Sequence, residues 1–259
     1  MTQTERRLYL IAALLKEQPQ FSKIEIPCDK QEQKRLLRSL FNIRMPKTVT
    51  EEFLMVQNAY LKEEIRRKGI TELSNLEPVS KEIYLWRGDI TTLKCDAIVN
   101  AANSQMLGCF CPNHGCIDNA IHTFAGVQLR LACRDLMKQQ GHEEETGKAK
   151  ITPAYNLPSR YVIHTVGPIV YGGLTKKDKD LLASCYRSCL ELAERKGLKS
   201  IAFCCISTGE FHFPNDKAAQ IAIETVKRHK EETQSEIEVI FNVFKKLDYN
   251  IYKRLLKAD

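Results

Sequence analysis

Three cysteines and one histidine fall within eight positions, from Cys109 to Cys116. They sit in the string Gly108-Cys109-Phe110-Cys111-Pro112-Asn113-His114-Gly115-Cys116. Thiolates and imidazoles are the usual ligands of zinc, which takes four partners in a tetrahedron. Cys109, His114 and Cys116 have the spacing C-x4-H-x-C, which lets one loop bend round a single ion. Three protein ligands and one open position make a catalytic site, whereas Cys111 as a fourth ligand would close a structural one. The spacing leaves both arrangements open. Buried packing is the plain alternative, but loops run over the surface, and exposed thiols without a metal invite oxidation. One zinc ion per chain is therefore expected.

Three more strings carry polar residues at the ends of apolar runs. In Arg87-Gly88-Asp89-Ile90, the Asp89 carboxylate can accept a hydrogen bond from an exocyclic amine such as that of adenine, or cap a turn. In Ile98-Val99-Asn100-Ala101-Ala102-Asn103, each Asn amide offers a donor and an acceptor for sugar hydroxyls, or forms a tight turn. The third string runs Cys205-Ile206-Ser207-Thr208-Gly209-Glu210-Phe211-His212-Phe213-Pro214. Its small polar loop can cradle a diphosphate with backbone N–H groups and no lysine. Cys185 and Cys189 share a helix face, but with no histidine near in sequence they read as packing. The remaining cysteines, Cys28, Cys95, Cys133, Cys204 and Cys205, read as small buried hydrophobes or as incidental. His122 and His164 read as structural histidines with satisfied hydrogen bonds.

The elements that must hold these loops follow from periodicity. Residues 1–75 show helical spacing over Thr4–Lys16, Gln31–Phe41 and Glu51–Lys68, with Pro46–Thr50 as a start signal and Gly69 as a stop. Beyond residue 76 the pattern alternates. Strands are expected at Glu82–Trp86, Ala97–Asn100, Tyr161–Val166, Ser200–Ile206 and Ile237–Phe241. Helices are expected at Ile117–Met137, Asp178–Lys196, Asp216–His229 and Leu247–Leu256. This alternation implies a three-layer α/β domain over residues 76–259, preceded by a helical extension over residues 1–75. Ligands of such sheets sit beyond the carboxyl ends of the strands.

Composition excludes several classes. The 259 residues are 43% hydrophobic and 27% charged, as in a globular protein. Net charge is +7, without the dense basic stripe of a nucleic-acid protein, and Trp86 is the only tryptophan for a stacking platform. The apolar run Leu8–Leu15 is too short to span a membrane and has no small-residue cleavage site. No nucleic acid, no membrane and a cytoplasmic location are expected, where the ten cysteines stay reduced.

Taken together, GDI, IVNAAN, IDNAIHTFAG, VIHTVGPI and ISTGEFHFP, in that order, resemble the macrodomain family over about residues 80–258. The resemblance implies an α/β/α macrodomain with a mixed central sheet that binds ADP-ribose. It implies that Asp89 holds the adenine with Ile90 alongside, that Asn103 holds the distal ribose, and that Cys116, Ile117 and Asp118 line the site. It further implies that Ser207, Thr208, Gly209, Glu210 and Phe211 wrap the diphosphate. Asp118 falls where the hydrolytic branch has its catalytic aspartate, and Asn103 joins it in fixing the ribose. That branch usually has a glycine-rich run where this chain has its cysteine loop. The loop and the helical extension resemble the zinc-containing macrodomains found beside sirtuin-type ADP-ribosyltransferases in bacteria. That likeness favours the three-ligand site, Cys109, His114 and Cys116. His212 departs from the glycine common in the family, so the diphosphate loop is bulkier.

The expected activity is a zinc-dependent protein-ADP-ribose hydrolase. It would cleave the glycosyl or ester bond at the anomeric carbon of the distal ribose and release ADP-ribose. The expected partners are ADP-ribose and a mono-ADP-ribosylated protein, a lipoyl-type carrier by subfamily analogy. A reader module that binds ADP-ribose without cutting is the competing class, and it has no need of an open zinc.

Overall fold

Three polar residues start the first three helices. Thr2 caps α1 (Gln3–Glu17) in a capping box with Glu5, Asp29 caps α2 (Lys30–Ile43), and Thr50 caps α3 (Glu51–Lys68). Each side-chain oxygen accepts from backbone N–H groups that have no partner inside the helix. Gly69 ends α3 with φ +89°, a conformation that costs glycine little. The computed structural model describes residues 1–21 and 23–257.

The chain then alternates strand and helix. It passes through β1 (Thr71–Glu72), β2 (Pro78–Ser80), β3 (Ile83–Arg87), β4 (Leu93–Lys94) and β5 (Ala97–Ala102). Next come α4 (Ile117–Ala125), α5 (Val127–Gln140), β6 (Ala149–Pro153), β7 (Tyr161–Val166) and α6 (Lys176–Arg195). It closes with β8 (Ser200–Phe203), α7 (Asn215–Thr233), β9 (Glu238–Val243) and α8 (Lys246–Lys257). Seven strands form one sheet in the order β2-β3-β9-β8-β5-β7-β6, while β1 and β4 pair separately. The inner five are parallel, and the edge strands β2 and β6 run antiparallel, so the sheet is mixed.

Helices cover both faces. Adjacent strand residues point to opposite sides. On β7, His164 lies against Cys133 of α5, while Thr165 lies beside Cys185 of α6. The core strands are apolar on both faces because both are covered. A second apolar cluster joins α1, α2 and α3, and Val127 of α5 belongs to it; Ile65 of α3 in turn belongs to the sheet core. The extension therefore packs on the α4–α5 side rather than standing free.

Three expectations need correction. Ile117–Met137 is two helices, broken at Gly126 (φ +95°), where an added Cβ would meet Gln57 and Asn156. β8 ends at Phe203, three residues short of Ile206, because the chain already turns into its loop. β6 was not anticipated, nor were the short strands β1, β2 and β4: the five residues of β6 alternate weakly, and pairing with β7 rather than local pattern makes it a strand. Cys185 and Cys189 are wholly buried packing, as expected. Residues 258 and 259 of the expected 76–259 domain lie outside the described residues. Among the described residues, no helix is long and apolar enough to cross a membrane.

Candidate functional site

The parallel strands β3, β9, β8 and β5 are neighbours, so the loops at their carboxyl ends open on one side of the sheet. All of the singled-out strings lie there.

Asp89 follows β3. Its Oδ1 accepts from Thr91 N at 3.0 Å and from Thr91 Oγ1 at 2.6 Å, capping a short 3-10 turn. Its Oδ2 pairs with Lys68 Nζ at 2.9 Å, from the last turn of α3. Lys68 also stands 3.3 Å from the ring centroid of Phe124, a cation–π contact. The Ile90 side chain is buried in the core, so only its backbone is available to a ligand.

Asn100 in β5 and Asn103 just past its end part company. Asn100 is wholly buried and donates from Nδ2 to Asp118 Oδ1 at 2.8 Å, so it does not face the open side. Asn103 is half-buried at the strand end. Its Oδ1 accepts from Met106 N at 3.1 Å, and its Nδ2 donates to Gly108 O at 3.3 Å. Those bonds shape the turn that leads into the cysteine loop.

That loop brings Cys109, His114 and Cys116 together, their ligand atoms all within 4.8 Å of one another. Cys109 Sγ is 3.6 Å from His114 Nδ1. Zinc–sulfur and zinc–nitrogen bonds in a tetrahedron put those two atoms about 3.5 Å apart, so the donors fit the ion. Cys111 is exposed and stands outside the group. Cys116 caps α4, its sulfur accepting from Asn119 N at 3.4 Å. Burial pushes the Cys116 thiol up to about 12. His114 Nε2 faces Glu210 Oε1 at 3.5 Å, a carboxylate placed to hold the ring's second nitrogen.

Asp118 begins α4 and is only 5% exposed. Burial raises its pKa to about 6, against the lowering effect of the Asn100 hydrogen bond and the Arg130 charge. His122 Nε2 lies 3.5 Å from Asp118 Oδ1, yet among the described residues neither ring nitrogen of His122 has a hydrogen-bond partner. The expectation of a satisfied His122 is thus not met. The ring is enclosed by packing, with Gly108 pressed against it. His164 is satisfied as expected, by Asn100 Nδ2 at 3.2 Å and Thr152 Oγ1 at 2.9 Å. Burial lowers the pKa of both rings, and both are neutral.

The loop after β8 is a chain of turns. Ser207 takes φ +64° and His212 φ +56°, and Phe213 N donates back to Ser207 O at 3.0 Å. Among the described residues, the N–H groups of Thr208, Gly209, Glu210 and Phe211 donate to no protein group. A run of backbone N–H groups without protein acceptors can bind an anion. Ile117 N–H and Asp118 N–H, in the first turn of α4, are free in the same way.

The sequence reading missed Phe244. It stands just past β9, 77% exposed, beside the loop of Asp89, where Gly88 N donates to Val243 O. A large aromatic left bare at a strand end is a stacking surface for a base. Only the end of an apolar run marked it in the sequence, and such residues are usually core.

The fold and this cluster of loops define a macrodomain, and the chain belongs to that family: the Macro domain pattern matches residues 99–222. A Treponema medium protein named protein-ADP-ribose hydrolase is 58% identical over 260 residues, covering 99% of this chain and all of the relative. A Staphylococcus aureus (strain MRSA252) protein of the same name is 49% identical over 253 residues, covering 97% and 95%. Among solved structures, the Trypanosoma brucei macrodomain in complex with ADP-ribose matches with TM-score 0.66 at 31% identity, covering 85% of this chain and 94% of that one.

Proposed function

We propose that this protein is a protein-ADP-ribose hydrolase: it removes mono-ADP-ribose from modified protein side chains, with one zinc ion held by Cys109, His114 and Cys116. Residues 1–75 are its helical extension and residues 76–259 its macrodomain. The relatives' names and the near-complete overlap of their chains with this one support the activity. The zinc reading rests on a single observation, two sulfurs and one imidazole nitrogen gathered within 4.8 Å.

ADP-ribose lies across the strand ends. Phe244 stacks on the adenine, and Asp89 accepts from its exocyclic amine. The free N–H groups of Thr208, Gly209, Glu210 and Phe211 hold the diphosphate. Asn103 fixes the distal ribose against Cys116, Ile117 and Asp118. The bond between the anomeric carbon and the protein side chain breaks, water supplies hydroxyl to that carbon, and the side-chain oxygen leaves with a proton. Zinc with an open position would supply polarisation or a water of lowered pKa. Asp118 orients the ribose or accepts the water's proton. Fixed placement of the reacting groups lowers the barrier by several kcal/mol. The donor set fits the zinc-containing branch of the family; a lipoyl-type carrier as substrate is proposed by analogy with that branch alone, and a cytoplasmic setting from the reduced state expected of the ten cysteines.

The test combines metal analysis of the purified protein with an assay on a mono-ADP-ribosylated protein, with and without a chelator. About one zinc per chain and loss of turnover on chelation are expected. Full turnover in a folded, metal-stripped sample removes zinc from the reaction. Binding of ADP-ribose without turnover in any state would leave a reader.

A further inference from the structure

The cysteine loop is short of regular structure, yet its backbone is held at nearly every other residue. Two of the holding groups, Arg38 and Asn42, come from α2 of the N-terminal extension, and two, Asn119 and Arg130, from α4 and α5. Arg38 Nη2 donates to His114 O at 2.9 Å and to Asn119 Oδ1 at 2.8 Å, and Arg38 Nε reaches the same Asn119 oxygen at 3.2 Å. Asn119, fully buried, passes the restraint on: its Nδ2 donates to Cys111 O at 2.9 Å, and its backbone N–H donates to Cys116 Sγ. Asn42 Oδ1 accepts from Asn113 N at 2.9 Å, and its Nδ2 donates to Thr123 Oγ1 at 3.0 Å. Asn113 takes φ +54°, so this contact pins the loop at its tightest turn. The end of α2 is itself tied down, since Arg130 Nη1 donates to the carbonyls of Phe41, Asn42 and Arg44. Arg130 also stacks on Phe110 of the loop at 4.3 Å.

We propose that Arg38 and Asn42 are positioning residues for the metal: the extension, not the macrodomain alone, sets the loop in its ligand geometry. This rests on the zinc reading above. The physical reason is entropic. A loop of eight residues, with glycine and free turns, spreads its ligands over many conformations. Ligation must then order it. Contacts that hold Asn113, His114 and Asn119 in place remove that cost before the ion arrives. Among the described residues, Arg38 and Asn42 bond to the loop backbone, Asn119 and Thr123 rather than to the sulfurs of Cys109 and Cys116 or the ring of His114. This gives residues 1–75 a role beyond packing.

The experiment measures zinc affinity of the full chain by competition with a chromogenic chelator. Wild type is compared with Arg38→Ala, Asn42→Ala and Arg38→Lys. Arg66→Ala serves as control, since among the described residues that exposed side chain pairs with Glu63 alone. Both alanine variants are expected to lose about tenfold or more in affinity, the usual effect of outer partners on metal sites. Arg38→Lys is expected to lose affinity as well, because a single ammonium on a flexible stem does not reproduce the fixed Nε and Nη2 fork that grips Asn119 Oδ1 and His114 O together. Arg66→Ala stays at wild type. In metal-stripped samples, ADP-ribose affinity read by calorimetry stays unchanged in all four variants. Wild-type zinc affinity in the α2 variants overturns the inference, as does an equal loss of ADP-ribose binding, which would mean general damage. Should Arg38→Ala fail to fold, Arg38→Lys and Asn42→Ala still decide it. A wild-type protein that takes up no zinc overturns both this inference and the zinc reading on which it rests.

Discussion

The amide of Asn100 donates to the carboxylate of Asp118 across 2.8 Å, at a place where Asn100 is wholly buried and Asp118 nearly so. A charge at that depth is tolerable only with such a partner, because desolvation without compensation costs several kcal/mol. Asn100→Ala should therefore cost about 1.5–3 kcal/mol of stability, the range for a hydrogen bond to a charged group. Urea denaturation reads it directly. Unchanged stability would show that Asp118 needs no such support.

Asp118→Ala and Asn103→Ala should abolish release of ADP-ribose while the far-ultraviolet circular dichroism stays native. The same holds for Cys116→Ala, with one complication: Cys116 also caps α4. Cys116→Ser separates the two roles, since a hydroxyl caps well but is a poor zinc ligand. Turnover by Asp118→Ala at the wild-type rate would take that carboxylate out of the chemistry.

His114 turns Nδ1 to Cys109 and Nε2 to Glu210, so the cysteine loop and the loop after β8 meet through one imidazole. Glu210 is 69% exposed at the side chain, which weakens its hold. Glu210→Gln should lower zinc affinity by no more than about tenfold, the small end of the range for outer partners. Chelator competition gives the value, and a loss as large as that from removing His114 would mean Glu210 is itself a ligand.

Phe244 predicts a binding effect without a catalytic one. Phe244→Ala should weaken ADP-ribose by about 1–3 kcal/mol, the usual worth of stacking one base on an aromatic ring. Phe244→Tyr should restore it. Calorimetric titration with ADP-ribose tests both, and equal affinity in Phe244→Ala would place the adenine elsewhere.

Gly108 has φ +80°, and a Cβ there would meet the His122 ring at 2.7 Å. Gly108→Ala thus carries both backbone strain and a clash with a buried ring. A stability loss of about 2–4 kcal/mol is expected. Zinc content should fall too, because Gly108 O is the acceptor through which Asn103 shapes the entry to the loop. A variant with normal melting and normal metal would mean that His122 can move.

The sequence alone determined what depends on neighbours along the chain. The C-x4-H-x-C spacing nominated three ligands, the capping residues Thr50 and Gly69 bounded α3 to the residue, and the apolar runs marked five inner strands. Only the tertiary structure decided matters that hinge on contacts distant in sequence. It left Cys111 outside the ligand group, buried Asn100 behind Asp118, left Phe244 bare at the rim, and joined Arg38 to His114 across 76 positions. Spacing can show that side chains are able to meet. Which way each one faces is settled by what packs against it, and the packing partners here come from helices and strands far away along the chain.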